Sequence, residues 1–67
     1  MAKTNVKVDL TDTDGNVFSI ISKVSWKLQL AGEVAAYKEF DREACSDDLD
    51  VLIATCRRYV ELTGDYQ

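Results

Sequence analysis

The segment VFSIISKVSWKLQLA, residues 17–31, has the longest run of helical hydrophobic periodicity in the chain. At roughly 100° per residue, one side of such a helix collects most of its aliphatic side chains. These are Val17, Ile20, Ile21, Val24, Leu28 and Ala31. The pattern predicts an amphipathic helix with one side on the core, and we expect the other segments to pack against it.

Trp26 and Leu30 fall outside this apolar side. They are one helical turn apart, and Ser22 and Lys23 point in the same outward direction. Either a second element covers the pair and Trp26 belongs to the core, or the pair binds a partner. Tryptophan is enriched at binding hot spots, and large exposed apolar patches are uncommon on soluble monomers. Phe18, at the margin of the apolar side, is expected to tuck under a neighbouring element.

The flanking segments predict the remaining elements. Residues 5–10, NVKVDL, alternate apolar and polar residues as a half-buried strand does. A turn over residues 11–16 ends at Asn16, a good N-cap, and the central helix stops at Gly32, a natural C-terminal residue.

Two more helices and a strand follow. A second helix is expected over residues 33–44, with the core positions Val34, Tyr37, Phe40 and Ala44, while Ala35 and Ala36 offer a flat surface to the first helix. A third helix over residues 48–59, capped by residues 46–48, leads into a strand at residues 59–63. Because the chain reverses direction at each short loop between the three helices, we expect the two strands to run parallel. The expected fold is α+β, a single β-α-α-α-β domain with an ordered core at residues 4–63 and a tail at 64–67.

Composition limits the classes of function. The chain has 67 residues, of which 46% are hydrophobic and 30% charged, which predicts one small globular domain. The net charge of −4 and the scattered basic residues argue against binding nucleic acid. No apolar run approaches the roughly 20 residues that span a membrane, and no signal peptide is visible. We therefore expect a cytoplasmic protein that binds no membrane.

Catalytic and metal-binding chemistry finds little support. The chain has no histidine, which removes the commonest general base and metal ligand. Cys45 and Cys56 stand eleven positions apart, a spacing that suits neither a redox motif nor a zinc site, so we expect two reduced, mostly buried thiols. An EF-hand reading of the D-x-D-G turn would need ligands at Leu10 and Ile21, and both are apolar. We expect no cofactor, no metal and no enzymatic activity.

Two motifs resemble a family of small prokaryotic and phage-type proteins whose function is not established. One is the turn Asp14-Gly15-Asn16 followed by Phe18, Ile20 and Ile21, and the other is EACSDDLDVL, residues 43–52. The resemblance covers most of the chain and implies a strand, a D-G-N turn, helices and a closing strand. It implies no activity.

The departures from that family suggest a function. Asp47 replaces its usual glycine and Leu49 its usual aromatic residue, while Trp26, Leu30 and Val51 stand where outward polar residues are expected. Large apolar residues on a rigid helix are typical of engineered binders built on a natural scaffold. The sequence thus predicts a non-enzymatic protein-binding domain, with an engineered scaffold as the first interpretation and a natural accessory protein that forms a homodimer as the alternative. The predicted partner-binding residues are Trp26, Leu30, Lys23, Ser22, Ala36, Tyr37 and Val51.

Overall fold

The computed structural model describes residues 2–11, 13–44 and 48–64. Within them the chain forms two strands and three helices in the order β1 (Lys7–Asp9), α1 (Val17–Leu30), α2 (Val34–Glu43), α3 (Leu49–Tyr59) and β2 (Glu61–Gly64). The predicted α+β class and the β-α-α-α-β order are confirmed. Each helix lies within one or two residues of its predicted bounds, while the strands are shorter or shifted.

Side-chain caps define where two of the helices begin. Asn16 Oδ1 accepts a hydrogen bond from the backbone N–H of Phe18 at 2.8 Å. Asp48 Oδ1 accepts two, from the N–H groups of Asp50 at 2.9 Å and Val51 at 3.3 Å. These bonds satisfy N–H groups that have no partner inside the helix. The predicted capping roles of Asn16 and Asp48 are confirmed, and residues 45–47, which include Cys45, lie outside the described residues.

The turn from α1 into α2 is a Schellman motif. The N–H of Gly32 donates to the carbonyl of Gln29 at 3.0 Å, and the N–H of Glu33 donates to that of Leu28 at 2.9 Å. Gly32 has a φ of 76°, which favours glycine because it has no Cβ. The helix therefore ends abruptly, as predicted from Gly32, and the chain passes directly into α2.

The two strands pair in parallel, as predicted. Their register joins Lys7 with Glu61, Val8 with Leu62, and Asp9 with Gly64, with an irregularity between Val8 and Asp9. A Cβ at Gly64 would lie 2.1 Å from Asp9 Oδ1 and 2.4 Å from Thr11 Oγ1, so a larger residue there would displace these two side chains. Residue 64, predicted to begin a tail, instead ends β2, and residues 65–67 lie outside the described part.

The core lies between the apolar sides of the three helices and the inner side of the sheet. Its fully or almost fully buried residues are Val8, Leu10, Ile20, Val24, Leu28, Phe40, Ala44, Leu52, Cys56, Tyr59 and Val60. The rings of Phe40 and Tyr59 meet edge to face with centroids 5.8 Å apart. The Tyr59 hydroxyl donates a hydrogen bond to Glu43, so the largest core residue also joins α3 to the end of α2.

Predicted burial is wrong at four positions. Ala31, expected on the buried side of α1, and Ala35, expected to face α1, are both exposed. Val34 is half exposed, because the buried side of α2 centres on Phe40 and Val34 lies well away from it around the helix. Ala36 and Tyr37 instead complete that side and pack against the core. Phe18 was expected to be covered, but it is 74% exposed.

Candidate binding surface on the first helix

Four residues at four-residue spacing form a row along the solvent side of α1: Phe18, Ser22, Trp26 and Leu30. We call this row the outer ridge. Each step of four residues advances about 40° around a helix, so the row is a continuous, slightly inclined ridge. Phe18 is 74% exposed, Trp26 54% and Leu30 65%. Three large apolar side chains are thus presented together, with one small serine between the first two.

Positive charge flanks one side of the outer ridge. Lys23 and Lys27 lie on the neighbouring row of α1, both half-buried, and Lys27 Nζ lies 5.4 Å from the centroid of the Trp26 ring. This is within cation–π range. Helix α1 contains no Asp or Glu. Among the described residues Lys3 pairs with Glu39 and Arg58 with Glu43, and neither of these ion pairs involves Lys23 or Lys27.

Asp9, at the end of β1, has a lowered pKa to which the charge of Lys23 contributes. Hydrogen bonds from the Thr11 hydroxyl, at 2.5 Å, and from the Thr11 backbone N–H, at 2.8 Å, hold the pKa of Asp9 below its usual value. The positive charge of Lys23 lowers that pKa by a smaller amount. Neither Lys23 nor Lys27 belongs to the ion pairs found among the described residues.

Ser25 lies on the opposite flank of the outer ridge. Its side chain is buried, and its Oγ has no hydrogen-bond partner among the described residues. Ser25 and Phe18 point in nearly the same direction around α1, only about 20° apart, but lie two turns apart along it. The neighbouring structure therefore covers this side of α1 at Ser25 and leaves it open at Phe18. Since α2 has 10 residues against 14 in α1, it cannot cover the whole length of the longer helix.

A depression of about 420 Å³ adjoins the C-terminal end of the outer ridge. Its walls are formed by Asn5, Val6, Lys27, Leu30, Ala31 and Glu33. Leu30 therefore has two exposed environments, one along the ridge and one facing this depression. A side chain of a bound partner could enter the depression while its neighbours cover the ridge.

The structure places the predicted binding residues in three different settings. Trp26, Leu30, Ser22 and Lys23 share the solvent side of α1 and form one surface. Ala36 and Tyr37 are half-buried against the core, and Val51 is half exposed on a different helix, α3.

Sequence reasoning did not assign Phe18 to this surface. Its signal was present, because Phe18 continues the four-residue spacing of Ser22, Trp26 and Leu30. Its position near the apolar side of α1 concealed that signal, since the sequence does not tell how far a neighbouring helix extends.

Cys56, a free cysteine on α3, is buried in the core. Burial raises the pKa of the Cys56 thiol to about 11, so this free cysteine stays protonated near neutral pH. Within these residues no three His, Cys, Asp or Glu side chains are placed to hold a metal ion. None of the helices in the described ranges combines the length and hydrophobicity that a membrane span needs.

Comparison with known proteins adds no further assignment: no protein family, curated protein or solved structure matches this chain. The resemblance to small prokaryotic and phage-type proteins stays a prediction.

Proposed function

We propose that this protein is a non-enzymatic protein-binding domain and that the outer ridge is its binding surface. One observation carries the proposal, namely that Phe18, Trp26 and Leu30 are all more than half exposed on a single row of one helix. Full burial of side chains of this size is worth about 1.5–3 kcal/mol each. A partner that covered the row would therefore gain several kcal/mol before the costs of association are subtracted.

Helix α2 provides an internal reference for this proposal. The solvent side of α2 carries the half-exposed Val34 and charged residues of both signs, with Lys38, Asp41 and Arg42 all exposed. A mostly charged composition is ordinary for the solvent side of a helix. The solvent side of α1 carries aromatic and aliphatic residues instead, which is the composition found at binding hot spots.

The proposal includes the origin and location expected from the sequence. A scaffold engineered to bind a chosen protein and a natural accessory protein would both use the outer ridge, so the same experiment applies to each. A cytoplasmic location is supported by Cys56, a buried free thiol of the kind retained in reducing compartments.

The proposal is tested with a displayed library of helical peptides. The library is panned against the wild-type protein and depleted on the triple variant Phe18→Ser, Trp26→Ser, Leu30→Ser. We expect surviving peptides to bind the wild-type protein in solution and to lose at least about tenfold in affinity when Trp26 alone becomes alanine, which corresponds to about 1.4 kcal/mol. The variant Val34→Ser serves as the matched control, because it removes a half-exposed apolar side chain from α2 and leaves α1 intact.

Two outcomes would contradict the proposal in different ways. If no peptide survives depletion on the triple variant, the outer ridge does not bind helical peptides and the proposal fails. If the wild-type protein instead sediments as a dimer that Trp26→Glu dissociates, a second copy already covers the ridge. The self-associating alternative would then replace the proposed binding of a different protein.

A further inference from the structure

The geometry of the outer ridge suits one class of partner structure. A row at four-residue spacing is a ridge that fits the groove between two similar rows of another helix, at a crossing angle near −50° and an interaxial distance of about 8–10 Å. Ser22 lies between Phe18 and Trp26 and lowers the middle of this row. A helix that crosses there can approach more closely than over a continuous row of large side chains. The matching partner surface is therefore the apolar side of a helix.

The charges beside the outer ridge indicate which helix would fit. Helix α1 is the one helix among the described residues without a carboxylate, and both of its charged residues, Lys23 and Lys27, lie on the same flank. Lys27 Nζ is held near the face of the Trp26 ring, so a partner that covers Trp26 also comes close to this ammonium. Covering the site removes water and strengthens the attraction between that ammonium and a carboxylate. Acidic residues beside the partner's apolar stripe would therefore be favoured and basic ones disfavoured.

The same charges argue against a second copy as the occupant. Two copies packed through their outer ridges would bring Lys23 and Lys27 of both chains together, without a carboxylate on either α1 to offset them. A homodimer through this surface would have to overcome that repulsion between lysines, whereas an acidic helix would not.

We propose that the outer ridge binds an acidic amphipathic helix, with Lys27 as the residue that selects for the partner's carboxylates. This inference rests on the proposed function and specifies its partner. Apolar residues of the partner cover Trp26 and its neighbours, and a Glu or Asp at the edge of its stripe contacts Lys27. Lys23 lies on the same flank, but Lys27 is the lysine placed over the Trp26 ring.

The test uses two synthetic peptides of about 18 residues, long enough to form isolated helices. Both carry leucines at i, i+3, i+4 and i+7 along one side, and the residues flanking the leucines are glutamates in one peptide and lysines in the other. Neither contains tryptophan, so the fluorescence of Trp26, the sole tryptophan of the protein, reports binding of either peptide.

We expect the glutamate peptide to bind at least about tenfold more tightly than the lysine peptide at low salt, and the ratio to shrink at 1 M salt, where screening acts over about 3 Å. Lys27→Glu should abolish or reverse the preference. The matched control is Lys38→Glu, which changes the net charge equally but on the charged solvent side of α2. It should leave most of the preference intact.

The possible failures separate this inference from the proposed function. Equal binding of both peptides, lost in a Leu30→Ser variant that keeps Trp26 as the reporter, would overturn the acidic-partner inference and leave the proposed function standing. An equal loss of preference in Lys27→Glu and Lys38→Glu would mean that net charge, not Lys27, selects the partner, and would overturn the inference as well. The absence of any binding by either peptide, together with a failed library selection, would overturn both proposals.

Discussion

Leu28 and Leu30 lie two residues apart on α1, yet Leu28 is completely buried and Leu30 is 65% exposed. The side of α1 that carries Leu28 also carries Ile20 and Val24, and all three belong to the core. The side that carries Leu30 remains largely uncovered by the described residues. The fold therefore explains why the first leucine is apolar and gives no reason for the second. An apolar residue that the fold does not require calls for another explanation, and binding supplies one.

The sharpest test of this difference replaces each leucine by alanine. We expect Leu28→Ala to lower the free energy of unfolding by about 2–5 kcal/mol, because it leaves a cavity in a small core. Leu30→Ala should change it by no more than about 0.5 kcal/mol, as most substitutions at exposed positions do. Urea denaturation of the two variants, with equal slopes, measures both values. Similar losses for the two variants would mean that Leu30 also belongs to the packed structure.

The next largest expected change in the free energy of unfolding is at Ser25, where substitution should raise it. Its buried hydroxyl has no hydrogen-bond partner among the described residues, and an unsatisfied buried polar group costs about 1–3 kcal/mol. Alanine also has the higher helix propensity. We expect Ser25→Ala to stabilise the protein by about 1 kcal/mol, a rise of about 4–8 °C in Tm for a domain of this size.

The control for Ser25→Ala is Ser22→Ala, on the exposed side of the same helix. There the hydroxyl is hydrated, so only the gain in helix propensity of about 0.5 kcal/mol remains. Equal gains from the two substitutions would show that the Ser25 hydroxyl carries no penalty in the core. The comparison thus separates burial from propensity on one helix.

Sequence periodicity predicted the elements of the fold because each signal was local. Asn16, Gly32 and Asp48 act as helix boundaries through hydrogen bonds to residues at most three positions away. The parallel orientation of the strands followed from counting the three helices between them. Whether a residue at the margin of a helix's apolar side is buried does not depend on local sequence alone. Phe18 and Ser25 share a direction on α1, and which of them is covered depends on how far the neighbouring structure reaches along it.

The candidate surface was predictable to the same extent and for the same reason. Trp26 and Leu30 lie away from the core side of α1, where the sequence allowed either a second element or a partner to cover them, and the structure leaves both exposed. Ala36 is partly buried against the core, near the boundary between the covered and open sides of α2. Residues near such boundaries cannot be assigned without the tertiary structure.

The pH dependence of stability provides a test with a smaller expected effect, at Asp9 beside the outer ridge. The pKa of Asp9 is lowered chiefly by the hydrogen bond from the Thr11 hydroxyl, so the carboxylate is favoured in the folded protein. Its contribution to stability is present above the usual Asp pKa of about 3.9 and is lost as the pH falls through the lower folded value. We expect Asp9→Asn to flatten the loss of Tm below about pH 4 relative to the wild-type protein. Asp14→Asn, in the exposed turn after β1, is the control and should not produce this flattening.

Trp26→Ala is expected to have the smallest effect on stability, no more than about 0.5 kcal/mol, although it removes the largest side chain of α1. The substitution removes the packing of a partly covered ring and its interaction with Lys27, but the higher helix propensity of alanine offsets part of that cost. In the wild-type protein, the emission of this sole tryptophan should be red-shifted and readily quenched by acrylamide, because the ring is 54% exposed. A loss of about 3 kcal/mol or more, or blue and protected emission in dilute protein, would place Trp26 in the core. Because the proposed function needs a tryptophan that folding does not use, a near-zero change in stability is the result on which the binding argument depends.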